Sequence, residues 1–148
     1  MNMLIFTEKG LVKPSDDKSN IVLEFNVPED IKTLIVKYKY NPKTVENRAE
    51  AMSIVNKGLN KYNASFINPE SMLPINNLIT LSFDENGKYR GACHRQPNNQ
   101  TIVISNENST PGIVNKRLEA GKWAVVLNVH YVACRVDYEI EIEGEKES

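Results

Sequence analysis

Residues 78–94 have the sequence LITLSFDENGKYRGACH, in which two runs of alternating apolar side chains flank an Asn-Gly pair. Alternation with a period of two is typical of half-buried strands, because successive side chains of a strand point to opposite faces of the sheet. Asn86-Gly87 is a dipeptide that hairpin turns favour. The stretch therefore predicts a β-hairpin.

Side-chain matching selects the register of this hairpin. A two-residue turn would pair Phe83 with Arg90, whereas a three-residue loop with Gly87 in the left-handed region would pair Phe83 with Tyr89. We expect the three-residue loop, because it places aromatic opposite aromatic. It buries Tyr89 and sends Arg90 and His94 to the other face of the hairpin, where they share one side.

Further segments alternate in the same way on both sides of the hairpin. They are residues 21–27, 31–40, 100–105, 123–132 and 135–142. Segment 123–132 is largely apolar on both faces, which is typical of a central strand, and Trp123 at its start is expected in the core. No alternation of strands with helices supports a parallel sheet. The expected fold class is mainly β, an antiparallel β-sandwich of the jelly-roll or Ig-like kind.

One segment has the period of a helix instead. Its apolar side chains recur at spacings of three and four: Val45, Ala49, Met52, Val55 and Leu59. Asn41 offers an N-cap and Pro42 suits the first helical position. We therefore expect one inserted amphipathic helix over residues 42–62, lying across a sheet face or capping an end of the sheets.

The amino-acid composition limits the number of domains, the partners and the location that we expect. The 148 residues are 41% hydrophobic and 25% charged, which suits one domain with a core at about residues 20–142, a partly ordered segment 1–19 and a frayed polar tail 143–148. A net charge of -1 argues against a general nucleic-acid partner. There is no run of roughly 20 apolar residues and no visible signal peptide, so we expect a soluble, cytoplasmic protein with no membrane partner.

Four side chains have the character of metal ligands: Cys93, His94, His130 and Cys134. Adjacent Cys93 and His94 point to opposite faces of a strand, and the spacing is not that of a zinc finger. We therefore predict no metal site and no cofactor. The two cysteines are expected to be buried free thiols, since free cysteine behaves as a small hydrophobic residue.

The candidate ligand-binding residues are Arg90, His94, Arg95 and His130. Arg90 and His94 share a face in the expected register, and Arg95 begins the adjoining loop, from which its long side chain reaches back. Guanidinium and imidazole groups in such a cluster suit an anion or a carboxylate. His130 is added because it lies in phase with Asn128, a polar neighbour that orients its ring. No residue is predicted to be catalytic.

A structural alternative exists for the same residues. Arg90 and Arg95 would then pair with surface carboxylates such as Glu139 or Glu141, and the two histidines would be hydrogen-bonded residues at the edge of the core. The two interpretations differ in whether these side chains lie together around a pocket or on separate faces.

Five segments follow one another in an order that resembles a known module. They are DENGKYRG (84–91), IVIS (102–105), STPG (109–112), LEAGKWAVVL (118–127) and VDYEI (136–140). Apart from the helix, residues 20–142 resemble the N-terminal β-sandwich that precedes the metallohydrolase domain of PHP-type metal-dependent phosphoesterases. The catalytic His and Asp residues of that family lie in the following domain, so the resemblance places no metal ligand on this chain. It implies an accessory domain, with a PHP-type hydrolase as a partner.

The sequence thus predicts a non-catalytic accessory domain that binds a small ligand or a partner chain, either a PHP-type hydrolase or a second copy of itself. One alternative is a small hydrolase or esterase built around His94 and His130. Another is a carbohydrate-binding module, which rests on fold analogy alone. Most of the aromatic residues fall in phase with core positions, which leaves few for stacking on sugars.

Overall fold

The computed structural model describes residues 2–147, which form two antiparallel four-stranded sheets packed face to face and one α-helix. The strands are β1 (Asn2–Val12), β2 (Asn20–Val27), β3 (Ile31–Asn41), β4 (Leu78–Glu85), β5 (Lys88–Cys93), β6 (Asn99–Ser105), β7 (Gly121–Tyr131) and β8 (Val136–Lys146). The helix α1 covers Arg48–Lys61, and short 3-10 turns lie at Pro14–Asp16 and Pro69–Met72. The predicted antiparallel β-sandwich is confirmed.

The strand order distinguishes between the two kinds of sandwich that the sequence left open. One sheet has the order β1-β8-β3-β6, and we call it the first sheet; the second sheet has the order β2-β7-β4-β5. The first strand therefore pairs with the eighth, the second with the seventh, the third with the sixth and the fourth with the fifth. This eight-stranded pairing is that of a jelly roll rather than of an Ig-like domain.

The core lies between the inner faces of the two sheets. Its fully buried side chains include Leu34, Val36, Ile140 and Ile142 from the first sheet and Ile79, Leu81, Phe83, Val125 and Leu127 from the second. Trp123 is also fully buried, as its position in the apolar phase of β7 predicts. Its indole Nε1 donates to the carbonyl of Glu119 at 2.8 Å, so its one polar atom is satisfied.

The helix begins at Arg48 and not at Pro42 as predicted. Asn41 still belongs to β3 and pairs with Asp137, because the ladder with β8 extends over the expected cap. Asn47 caps the helix instead. No helix in residues 2–147 is long and apolar enough to cross a membrane.

Helix α1 packs against one end of the sandwich, the second of the two placements expected. A separate apolar cluster forms there from Val45, Ala51, Val55, Leu59 and Ile75. Fully buried Asn77, just before β4, connects this cluster to the sheets. Its Nδ2 donates to the carbonyl of Pro42 at 2.9 Å and its Oδ1 accepts from the backbone N–H of Ala133 at 2.8 Å.

Both ends of the chain are more regular than predicted. Residues 2–12, part of the segment 1–19 that is expected to be only partly ordered, form β1 and pair along their length with β8. Strand β8 continues to Lys146, so most of the expected frayed tail lies in the sheet. The sequence pattern of β1 is weak because it is an edge strand, and most of its side chains are exposed or only partly buried.

The hairpin has a two-residue turn. Asn86 and Gly87 both have positive φ, 49° and 82°, and Glu85 pairs directly with Lys88. Two positive φ values define the type I′ turn, which matches the twist of the flanking strands. The left-handed conformation of Gly87 is confirmed, whereas the predicted three-residue loop is wrong.

A β-bulge follows the turn and changes which side chains face the core. Asp84 pairs with Tyr89, but the next pair along β4 is Phe83 with Gly91, so Arg90 is an extra residue. Tyr89, predicted to be buried opposite Phe83, is 67% exposed, whereas Arg90 is fully buried. Neither of the registers considered from the sequence contains this slip.

Gly87 and Gly58 form a matched pair that tests the turn. A Cβ built at either position meets no atom within 4 Å, so only the backbone conformation differs between them. We expect Gly87→Ala to lower the free energy of unfolding by roughly 1–2 kcal/mol and Gly58→Ala, inside α1, to raise it by about 0.5–1 kcal/mol. Urea denaturation measures both, and a change of the same sign in the two variants would contradict the turn assignment.

Candidate functional site

The structure brings two of the four predicted ligand-binding residues together on the outer face of the second sheet. His94 follows β5 and His130 lies near the end of β7, with β4 between them. Their ring centroids are 5.5 Å apart. Thr80 of β4 joins them, since its Oγ1 lies 2.8 Å from His94 Nδ1 and 2.7 Å from His130 Nε2. We call these three side chains the histidine patch.

A second bulge lies at this convergence. Leu78 pairs with Tyr131, but the next residue, Ile79, pairs with Val129, so His130 is the extra residue in β7. His130 keeps the outward phase of Asn128, two residues before it, and lies beside Thr80 of the neighbouring strand β4.

The hydroxyl of Thr80 couples the tautomers of the two rings, that is, which nitrogen of each ring carries the proton. It carries a single proton, so with both imidazoles neutral it donates to one ring and accepts an N–H from the other. A neutral imidazole has only one N–H. Two ring nitrogens remain, His94 Nε2 and His130 Nδ1. One of them must then carry an N–H, and the other must have a free lone pair. The neutral patch offers a ligand one hydrogen-bond donor and one acceptor.

Uptake of one proton changes this pattern. Burial, with a smaller contribution from His94, lowers the pKa of His130 below its ordinary value. When the pair holds one extra proton, Thr80 still donates to the neutral ring, and both remaining nitrogens carry an N–H. The patch then presents two donors and a positive charge, which suits an anion.

Asn128 adds a polar group beside the patch. It pairs with Thr80 across the ladder and lies two residues before His130 on the same face of β7. Its Oδ1 accepts from Ser82 Oγ at 3.4 Å, but its buried Nδ2 has no hydrogen-bond partner within residues 2–147. Flipping the amide would only exchange which atom is left over. This face of the sheet thus retains unused hydrogen-bonding capacity.

Arg90 does not belong to the histidine patch. The expectation that it shares a face with His94 is wrong, because the bulge in β5 turns it into the core. Its Nη1 donates to both oxygens of Glu85, at 2.9 and 3.0 Å. The alternative partner Glu139 is also wrong for Arg90, since that carboxylate lies on the other sheet and pairs with Lys39 at 3.2 Å.

The remaining donors of Arg90 hold the loop 106–120 against the sandwich. Nε donates to the carbonyl of Val114 at 3.0 Å, and Nη2 donates to the carbonyls of Lys116 at 2.6 Å and Ser105 at 3.4 Å. With the contacts to both oxygens of Glu85, each of the three guanidinium nitrogens has an acceptor. Because Arg90 is also fully buried, it is a structural residue and does not face a ligand.

The carboxylate of Glu85 is equally well satisfied. Oε2 accepts from the backbone N–H of Glu119 at 2.8 Å, and Oε1 lies 3.0 Å from Lys116 Nζ. Burial raises the pKa of Glu85, but the Glu119 N–H, Lys116 and Arg90 together outweigh it and hold the pKa below its ordinary value. Glu85 follows Leu81 and Phe83 in the inward phase of β4. In the sequence, a charged residue at an inward-facing position of a strand indicates a buried ion pair.

Arg95 is exposed in the loop after His94. Its backbone carbonyl accepts from Gln100 Nε2 at 3.3 Å.

Cys93 is buried and Cys134 is half-buried, and both thiols are free. Within residues 2–147 no three His, Cys, Asp or Glu side chains are grouped as metal ligands.

Comparison with known proteins leaves the site to be judged by its own chemistry. No protein-family model matches the chain, and a search of curated proteins gives no match. Among solved structures, the chain is similar to the crystal structure of GEBA250068378 from Sulfurospirillum deleyianum, with 12% identity and a TM-score of 0.32 over 91% of this chain and 96% of that chain. A likeness this weak carries no argument. The resemblance to the PHP-associated sandwich stays a prediction.

Breaking the buried ion pair is expected to be costly. Arg90→Met leaves the Glu85 carboxylate buried without its main partner, and we expect the free energy of unfolding to fall by about 3–5 kcal/mol. Arg90→Met combined with Glu85→Leu removes both charges and should recover part of that loss. Arg95→Met, at an exposed position, is the control and should change stability by less than about 0.5 kcal/mol. Urea denaturation showing simple additivity in the double variant would contradict the pairing.

Acid should weaken the fold through the same carboxylate. Because the pKa of Glu85 is lowered in the folded state, the unfolded chain binds this proton more tightly. The ionised group stabilises the fold above its unfolded pKa of about 4.3, and this contribution is lost as the pH falls through the folded pKa. The free energy of unfolding should thus drop more steeply between about pH 5 and pH 3 in the natural chain than in Glu85→Gln. Parallel pH profiles would show that Glu85 is not the group responsible.

Proposed function

We propose that the chain is a non-catalytic binding module that holds a small polar ligand at the histidine patch. The observation that carries this proposal is the convergence of His94 and His130, from two strands that do not pair with each other, on the buried hydroxyl of Thr80. The hydroxyl orients both rings and leaves one nitrogen of each for a ligand. A site built on three neighbouring strands of a sheet is rigid, which reduces the entropy lost on binding.

The protonation pattern defines the ligand class. Near neutral pH the patch matches a ligand that carries a donor and an acceptor side by side, such as an amide or a pair of hydroxyls. After uptake of one proton it matches a carboxylate or a phosphate, and Arg95, the exposed residue after His94, adds a positive charge in the adjoining loop. Arg90 has no part in the proposed site.

The geometry favours binding over hydrolysis. A hydrolase built around His94 and His130 needs a nucleophile within reach of an imidazole. The hydroxyl that both rings contact belongs to Thr80, which is 1% exposed. A substrate carbon cannot approach an oxygen that is buried and hydrogen-bonded on two sides. A bound water activated by one ring is the remaining route for the alternative, and a screen for esterase activity tests it.

The histidine patch supports the carbohydrate-binding alternative in one respect, because paired sugar hydroxyls supply a donor and an acceptor together. Jelly rolls also occur in lectins, although that is an argument from fold alone. The accessory role, with a PHP-type hydrolase or a second copy of the chain as partner, is proposed on the sequence resemblance. Co-purification with such a hydrolase would test it.

Thr80→Val tests the patch, because valine keeps the shape of threonine and removes the hydroxyl that joins the rings. We expect acetamide and methyl glucoside at pH 7.5, and acetate and phosphate at pH 5.5, to shift the ring ¹⁵N and ¹H NMR signals of both histidines. In Thr80→Val these shifts should fall severalfold. Ser82→Ala, on the same outward face of β4, is the matched control and should respond like the natural chain.

Two results would contradict the proposal. The first is that none of the four probes moves the ring signals of either histidine. The second is that Thr80→Val and Ser82→Ala respond equally. Backbone amide spectra of each variant establish that the fold is retained in both cases.

A further inference from the structure

A concave surface lies where α1 meets the end of the sandwich, apart from the histidine patch. It is a groove of about 490 Å³ between the helix and the end of β7, and none of its lining residues is charged. Val55 and Leu59 form its floor on the helix side, and Met72, Ile75 and Tyr131 contribute from the other elements. A mostly apolar concavity of this size falls in the roughly 300–1,000 Å³ range of small-molecule sites.

A cation lies beside a residue that lines this groove. Lys61 Nζ lies over the ring of Tyr62, 5.5 Å from its centroid, and Tyr62 lines the groove from the helix side. None of the lining residues carries a negative charge that would repel an anion.

Gly58 keeps the groove open. It lies in the middle of α1 and lines the groove, and a Cβ built on it meets no atom within 4 Å. Glycine at such a position costs about 0.5–1 kcal/mol relative to alanine, and nothing packed against it requires the small residue. The space in front of Gly58 is thus available to a ligand.

We propose that this groove binds a long-chain carboxylate, an unbranched apolar chain that ends in an anionic head. The uncharged walls have no partner for a charge, so they suit the chain. Lys61, whose Nζ lies over the ring of the lining residue Tyr62, supplies an ammonium group for the head. The site is independent of the proposed function at the histidine patch.

Calorimetric titration of the full chain with dodecanoate, below its critical micelle concentration, tests the proposal. We expect one molecule to bind. Gly58→Leu places a side chain into the groove and should weaken binding about tenfold or more, because it takes the volume that the chain would bury. Gly58→Ala is the matched control and should bind nearly as well as the natural chain, since it fills much less of the space.

The head group is tested with 1-dodecanol, which has the same chain without the charge. Lys61→Gln should weaken dodecanoate severalfold and leave 1-dodecanol unchanged. The proposal is overturned if dodecanoate does not bind, if Gly58→Leu binds like the natural chain, or if the charged and uncharged ligands bind alike. Thr80→Val should bind dodecanoate normally, so that failure at one site is distinguishable from failure at the other.

Discussion

The ion pair between Glu85 and Arg90 anchors the loop 106–120 to the hairpin of the second sheet. Removing two charges from water costs several kcal/mol for each ion, and only complete hydrogen bonding offsets that cost. Here the carboxylate also binds the backbone of Glu119, and the guanidinium binds three carbonyls at or beyond the end of β6. Arg90 further lies 5.6 Å from the ring centroid of Trp123, at the start of β7. The hairpin, the loop 106–120 and the central strand are therefore held by one pair of side chains.

Strand β4 links this ion pair to the rest of the molecule. It ends at Glu85, and at its other end lies Asn77, whose amide joins the helical cluster to the sheets. Thr80 lies between these two anchors. The two bulges of the second sheet occur in the strands that flank β4, one at Arg90 and one at His130. The first turns a cation into the core, and the second lies where His130 contacts Thr80, so the histidine patch depends on the same strand that carries the buried pair.

The sequence allowed the strands and the sandwich class to be predicted, but not the local slips. Alternation is a property of each segment, so it locates β2 to β8 well and the edge strand β1 poorly. The position of a bulge depends on the partner strand. Alternation within one segment therefore places Arg90 on the wrong face. The proximity of His94 and His130 depends on the strand order, which is also a non-local property. Both residues are nevertheless among the predicted ligand-binding residues. Glu85, in phase with Phe83, was the overlooked sign of the ion pair.

The end of β7 is where the histidine patch and the apolar groove lie beside each other. His130 and Tyr131 are consecutive residues at the bulge, and the first contacts Thr80 whereas the second lines the apolar groove. The segment that follows is anchored: the backbone N–H of Val132 donates to Asp17 at 3.0 Å, and that of Ala133 donates to Asn77. Since these bonds hold the backbone in place, both surfaces exist before any ligand arrives. The binding proposed at each surface then requires little ordering of the chain, which is the main cost that a preformed site avoids.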